Sequence, residues 1–278
     1  MLKQRVITAL VLLAVLLPAL FAPMVWPFAA LTLVGIAAAG WEWARLNQLP
    51  GAAAVGSGLL VAAACGAAWA LGWTVAAPSG TWWVVAALWL VAGPLALRAG
   101  PSGWPKVPRL LRWLIGCVAL WAAWLALSHA KANGVNFLLS VFCLVWAADI
   151  AAYFGGRAFG KRKLAPSISP GKSWEGVWSG MAGVLVLALA WMALDRQLPA
   201  ESASLFTQLA GTWGLGGMLG SLLVLAAMSV VGDLFESLVK RAAGAKDSSQ
   251  LLPGHGGVLD RIDALLPVFP IALALALA

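Results

Sequence analysis

Runs of about twenty apolar residues, repeated with little interruption from Val6 onward, leave this chain very few folds to choose from. A helix rises 1.5 Å per residue, so each run is long enough to cross roughly 30 Å of hydrocarbon. Within hydrocarbon the backbone has to pair its own N–H and C=O groups, which restricts spanning segments to helices or closed barrels. The runs are continuous rather than alternating, so the chain is read as an all-α polytopic membrane protein. They fall at 6–22, 26–46, 53–76, 82–97, 110–128, 135–156, 174–194, 212–238 and 258–277, about nine transmembrane helices. Pro23, Pro27, Pro50-Gly51, Pro78, Pro101 to Pro108 and Pro199 mark the joints. The second and third runs, rich in Ala and Gly, carry the weakest spanning signal, and a re-entrant course is open for either. The basic start M-L-K-Q-R imitates a signal peptide, but Pro23 would sit just past the cleavage point, so the first run is read as an uncleaved span.

Charge orients these spans. Of the 18 Lys and Arg residues, alternation from a cytoplasmic amino terminus puts all but Lys131 and Arg196 on the cytoplasmic side, with the carboxyl terminus external. The formal net charge of +8 is therefore read as positive-inside bias, and nucleic acid is not an expected partner. Trp26, Trp41, Trp43, Trp82, Trp83, Trp104 and Trp113 lie near span ends, as an interfacial belt would. Cys65, Cys117 and Cys143 sit in apolar runs without metal or redox spacing. The spans within residues 1–128 hold almost nothing that ionises apart from Glu42 near an end, and this part is read as a transmembrane scaffold of about five helices. Residues 129–278, with about four helices and the polar cytoplasmic loops, are read as the catalytic region.

The acidic residues gather where the hydropathy falls. Asp233, Glu236, Asp247, Asp260 and Asp263 all lie between Gly232 and Asp263, in a chain with only 10 Asp and Glu. Asp233 follows the apolar run Leu222 to Val231, which places it about 10 Å inside the membrane end of its helix. A charge near the centre of a bilayer costs roughly 2.5–3.5 kcal/mol, so such a carboxylate is expected to face a polar cavity and a partner. Glu236 and Ser237 share its face, and Lys240 is one turn further on, where a self-satisfying Glu236–Lys240 pair is equally open. Asp260 and Asp263 form a second pair at the start of the last run. Two groups of hard oxygen ligands suit Mg²⁺, with a second, monovalent cation left open, and His255 alone with no cysteine nearby does not suit zinc. Between the two pairs, P-G-H-G-G (Pro253 to Gly257) can offer backbone N–H groups to an anion, flanked by Lys240, Arg241, Lys246 and Arg261. Asp149, Tyr153 and Arg157 recur every fourth residue on one face of the sixth run and lead into S-P-G-K-S-W-E-G (Ser169 to Gly176). Lys161, Arg162 and Lys163 need no role beyond topology.

Ser237, Lys240-Arg241, Lys246-Asp247, Pro253-Gly254-His255-Gly256-Gly257 and Asp260-Arg261-x-Asp263 together resemble the signature of the phosphatidate cytidylyltransferase (CDP-diacylglycerol synthase) family. The segment Ser169 to Gly176 is similar to a second motif of that family, usually S-P-K-K-T-x-E-G, with Gly171 in place of a lysine. The resemblance implies a multi-pass protein of the bacterial inner membrane that makes CDP-diacylglycerol and pyrophosphate from CTP and phosphatidic acid, on the cytoplasmic side. It implies a metal held by Asp233 and Asp260, with Asp263, Lys240 and His255 also at the reacting centre. Asp149, Tyr153, Arg157, Ser169, Lys172, Ser237, Arg241, Lys246, Asp247, Gly256, Gly257 and Arg261 are the expected substrate-binding residues. A homodimer is left open. A transferase acting on a polyprenyl phosphate is the nearer alternative, and an ion-coupled transporter the more distant one. Cysteines introduced at Ser202 and Ser248 are expected to label from opposite faces of sealed cells; labelling of both from outside would break the nine-span arrangement.

Overall fold

The computed structural model describes residues 2–197 and 201–277, the side chains of residues 2–5 and of Ala9 excepted; Pro199, expected to mark a joint, lies outside the described residues. Among the described residues, six helices are long and apolar enough to cross a membrane. These are α3 (Gly51–Ala70), α4 (Thr81–Gly103, continued by a 3-10 turn to Lys106), α5 (Arg109–Ala132), α6 (Val135–Phe159), α7 (Trp174–Gln197) and α8 (Leu205–Ala242). The molecule is a helical, polytopic membrane protein. Two further helices precede them, α1 (Leu2–Phe21) and α2 (Trp26–Leu46); the 21 residues of α2 are less apolar because Glu42, Arg45 and three tryptophans lie among them. Proline and glycine shape the longer helices: α4 is kinked at Gly100 and the 38-residue α8 at Gly214, both with positive φ.

The last expected run differs from a continuous span. It breaks into α9 (Leu259–Ile262) and α10 (Leu265–Ala276). The cause is local. Asp263 takes the N–H of Ala264 on its own carboxylate at 2.8 Å, so the side chain competes with the helical ladder. The 12 residues of α10 cover about 18 Å and are apolar all round, and they are buried among α4, α5, α6 and α8. A second departure from the all-helical expectation is a hairpin, β1 (Lys163–Ala165) and β2 (Ser169–Ser173), antiparallel with Lys163 opposite Ser173 and Ala165 opposite Ser169. It holds a segment expected only as a loop.

Small residues draw the second-half helices together. A side chain at Gly176 or Gly180 of α7 would meet the Ala152 or Ala148 carbonyl of α6 at 2.9 and 2.8 Å. At Gly232 of α8, a Cβ would lie 2.5 Å from the Asp263 carbonyl, so the α8 backbone touches the α9–α10 junction there. The tryptophan belt needs correction. Trp26 and Trp83 are exposed, but Trp43, Trp82 and Trp104 are buried. Trp43 stacks on Phe235, donates to the Arg112 carbonyl at 3.1 Å and fills the groove left by Gly116, while Trp104 donates to Asn47 at 3.1 Å. These rings hold the first-half helices against α8, because an indole N–H can be buried only with an acceptor in reach. The three cysteines are free, and His129 packs edge-on to Trp82, a structural place as expected.

Ser248 is buried, so the exposed neighbour Gln250 is the better position for that label. Gly232→Ala should destabilise the protein by roughly 1–3 kcal/mol, the usual cost of overpacking, read as a lower thermal midpoint in detergent. An unchanged midpoint would mean that α8 and the α9–α10 junction do not press together.

Candidate active site

Asp149, Tyr153 and Arg157 of α6 stand on one face, as their spacing requires, and line a cleft of about 470 Å³ with Ser169, Lys172 and Gly176 of the second motif and Asp233 of α8. The hairpin is what brings Lys172 there. It folds back over the start of α7 and delivers the ammonium onto Asp233 Oδ2 as an ion pair. Its base is fixed by Glu175, whose carboxylate accepts the Lys161 and Arg162 backbone N–H groups, both at 3.1 Å, and the Arg162 side chain at 3.3 Å. Lys161, Arg162 and Lys163 are exposed and outside the cleft. Gly171 leaves open space where the family's lysine would extend.

Asp233 lies within electrostatic reach of Asp149 on one side and Asp263 on the other; Lys172 pairs directly with Asp233, and Asp263 also feels Lys240. Ser237 approaches Asp233 Oδ1 at 3.4 Å. Among the described residues no three His, Cys, Asp or Glu side chains converge into a ready metal cage. Mg²⁺ does not require one: it binds through one or two carboxylates, keeps several waters and takes the rest from substrate phosphate. Asp149 and Asp233 line the cleft with Asp263 within electrostatic reach of Asp233, and hard carboxylate oxygens beside room for a substrate phosphate are the donors Mg²⁺ takes, so this set fits the ion.

Lys240 is placed differently from the expectation that it binds phosphate. It is buried between Glu236 Oε2, at 2.5 Å, and Asp260 Oδ1, at 2.6 Å, and lines neither cavity. Asp260 is equally committed. Its Oδ2 accepts the Ser248 N–H (3.0 Å), the Ser248 hydroxyl (2.8 Å) and the Gly257 N–H (2.7 Å). The glycine-rich loop therefore spends its donors on the protein's own carboxylates, and its N–H groups at Gly257, Val258 and Leu259 are not a free phosphate cradle. That also explains the glycines. A Cβ at Gly256, where φ is +82°, would sit 2.7 Å from Asp260 Oδ2, and one at Gly257 would sit 2.0 Å from the Ser248 hydroxyl.

The outer face of the same loop makes a second, open basin of about 760 Å³, lined by Lys246, Asp247, Ser249, His255, Gly256 and Arg261 among others. Lys246 and Arg261 are exposed, and His255 has a buried Nδ1 without a partner. Arg241 donates to the Ile168 carbonyl at 3.3 Å and the Ala245 carbonyl at 3.1 Å, which ties the hairpin to the end of α8. The expected site residues thus separate into a cleft between helices, an outer basin, and a layer between them made by Lys240, Asp260 and Glu236. Sequence reasoning missed Glu42, Ser248 and Ser249, which interlock beneath the loop. The signal for Glu42 was its isolation: a carboxylate in an apolar half needs a partner from elsewhere.

A membrane-embedded cleft of carboxylates next to a basic basin defines a membrane enzyme that brings phosphate-bearing substrates together. The chain belongs to the cytidylyltransferase family, which it matches over residues 3–278. It is 40% identical to the phosphatidate cytidylyltransferase of Pseudomonas aeruginosa over 99% of this chain and 97% of that protein. It is also 40% identical to the phosphatidate cytidylyltransferase of Haemophilus influenzae, over 97% of this chain and 96% of that one. The Brucella suis phosphatidate cytidylyltransferase is 47% identical over 48% of this chain and 44% of its own length.

Because Lys240 is buried between two carboxylates, Lys240→Gln should destabilise the fold by roughly 3–5 kcal/mol, the usual cost of leaving buried charges unpaired. Lys246→Gln, at an exposed position, should leave the melting temperature unchanged. Equal midpoints for the two variants would contradict this placement.

Proposed function

We propose that this chain is a nucleotidyltransferase that makes CDP-diacylglycerol and pyrophosphate from CTP and phosphatidic acid. The observation that carries the reading is the cleft in which Asp149, Arg157 and the Lys172–Asp233 pair converge, together with the basin of Lys246, His255 and Arg261. The cleft lies between membrane helices, and Tyr153 and Phe154 beside it are exposed where lipid would run. The basin lies on loops, where a soluble nucleotide arrives. Near-full-length relatives with this activity support the same reading.

In the reaction a phosphate oxygen of phosphatidate forms a bond to the α-phosphorus of CTP. The bond from that phosphorus to the β-phosphate bridging oxygen breaks, and its electron pair leaves with pyrophosphate. Two polyanions must meet, so most of the task is positioning and charge. Arg157 and Lys172 hold the lipid phosphate in the cleft. Lys246 and Arg261 take the leaving phosphates in the basin, and His255 lies beside them in its lining. Asp233 would be the leading ligand for Mg²⁺, with Asp263 and Asp149 beside it, while Asp260, the other expected ligand, would hold the glycine-rich loop and Lys240 next to it. The ion supplies the charge neutralisation that lets the phosphates approach and the pyrophosphate leave. Sixteen of eighteen basic residues on one side of a nine-span arrangement support a cytoplasmic site in the bacterial inner membrane, with the amino terminus cytoplasmic and the carboxyl terminus external. In this arrangement residues 129–278 carry the reacting groups, and residues 1–128 wall them in.

Purified protein given labelled CTP, phosphatidate and Mg²⁺ should form a labelled lipid, and EDTA should abolish the product. Asp233→Asn should lose far more than tenfold in rate, and the loss should not add to that of Asp260→Asn. Product formation in EDTA, or an Asp233→Asn enzyme within about tenfold of wild type, a barrier change of only ~1.4 kcal/mol, would refute the metal assignment. Competition by a polyprenyl phosphate would redirect the substrate assignment.

A further inference from the structure

Glu42 is the least exposed carboxylate among the described acidic residues, at 0% exposure, and none of the ion pairs among the described residues includes it. It sits near the end of α2, more than two hundred residues before Ser248 and the glycine-rich loop. Four donors reach it, two to each oxygen. Oε1 accepts the Ser249 hydroxyl at 2.5 Å and the Val258 N–H at 2.9 Å. Oε2 accepts the Leu259 N–H at 2.7 Å and the Ser248 hydroxyl at 3.2 Å. A buried carboxylate normally needs a cation; here the loop's own dipoles do that work, helped by the first N–H groups of α9.

Those donors bracket the segment that faces the basin. Ser248 and Ser249 are at its entry, Val258 and Leu259 at its exit, and His255 lies between them. Gly257 has no room for a side chain partly because Glu42 Oε1 would be 2.4 Å from its Cβ. The next residues after the exit are Asp260 and Arg261. A second tie comes from the same half of the chain, where the Thr8 hydroxyl donates to the Pro253 carbonyl at 3.1 Å.

We infer that Glu42 is a positioning residue for the nucleotide side of the reaction: from the amino-terminal half it fixes the loop Ser248–Leu259, and so sets where His255 and Arg261 meet the CTP phosphates. This rests on the functional reading above. It assigns the first half of the chain a specific part in binding one of the two substrates, beyond walling the site. The lipid cleft is anchored otherwise, through Glu175 and the α6–α7 contact, so it should not sense Glu42.

Glu42→Gln keeps the volume but sets an amide N–H₂ against two donors. Expected is a rise in KM for CTP of at least about tenfold, as for a lost charge-assisted hydrogen bond, with KM for phosphatidate within about twofold. Glu42→Asp retains the charge with a shorter reach and should recover part of the CTP affinity. If Glu42→Gln fails to fold, Glu42→Asp carries the test: its KM for CTP should exceed wild type several-fold, with that for phosphatidate unmoved. Wild-type KM for CTP in the folded variants, or equal rises for both substrates, would overturn the inference. A wild-type protein without CTP-dependent activity would instead overturn the functional reading.

Discussion

The site depends on how one buried ammonium is shared. Lys240 reaches Glu236 on its own helix and Asp260 on α9, and so locks the end of α8 to the start of the last apolar segment. In a chain of 10% charged residues an unpaired buried charge is among the costliest defects available, so this bridge leaves little freedom nearby. With Asp260 held on one oxygen, its other oxygen gathers Ser248 and Gly257, and the glycine-rich loop takes its shape. With α9 held against α8, Gly232 permits backbone contact at Asp263, and that contact sets a second carboxylate beside Asp233.

The acidic residues consequently divide by what faces them. Glu42 and Asp260 are saturated by neutral donors or Lys240, Glu175 fixes the hairpin, and Asp195 accepts Asn136, Ser204 and Thr207 to cap the start of α8. Asp149, Asp233 and Asp263 keep capacity in reserve. The first kind builds the scaffold in a medium without water, where every polar group must find an internal partner. The second kind is left to meet a ligand: Asp149 and Asp233 line the cleft, and Asp263 lies within electrostatic reach of Asp233.

Much of this was legible in the sequence, for identifiable reasons. Apolar runs report helices directly, and the four-residue spacing of Asp149, Tyr153 and Arg157 placed them on one face without any tertiary information. The motifs singled out Asp233 and Lys172 separately, and the structure pairs them across 61 residues of chain. What could not be read were partnerships settled only by packing. Nothing local says that Lys240 turns inward while Lys246 turns outward, since both follow apolar stretches and both border glycine or acid. The hairpin around Lys172 has no alternation to announce it. Trp43 and Trp104 sit at helix ends like belt residues, yet Gly116 opens a groove that only the assembled helices reveal. The break at Asp263 was hidden by the hydropathy of its neighbours.

Helix α10 carries a consequence for how the molecule is made. It is the most thoroughly enclosed of the long apolar segments, wrapped by α4, α5, α6 and α8, yet it is translated after all of them. Those helices must enter the bilayer around a gap that nothing yet fills. A 12-residue segment is short for lateral release as an independent span, so its entry depends on a waiting protein pocket rather than on lipid. Since Asp260 and Asp263 immediately precede it, the carboxylates of the site reach their places only when this plug is seated. Unfinished chains would carry the glycine-rich loop in no fixed shape, and assembly itself would act as the gate on activity.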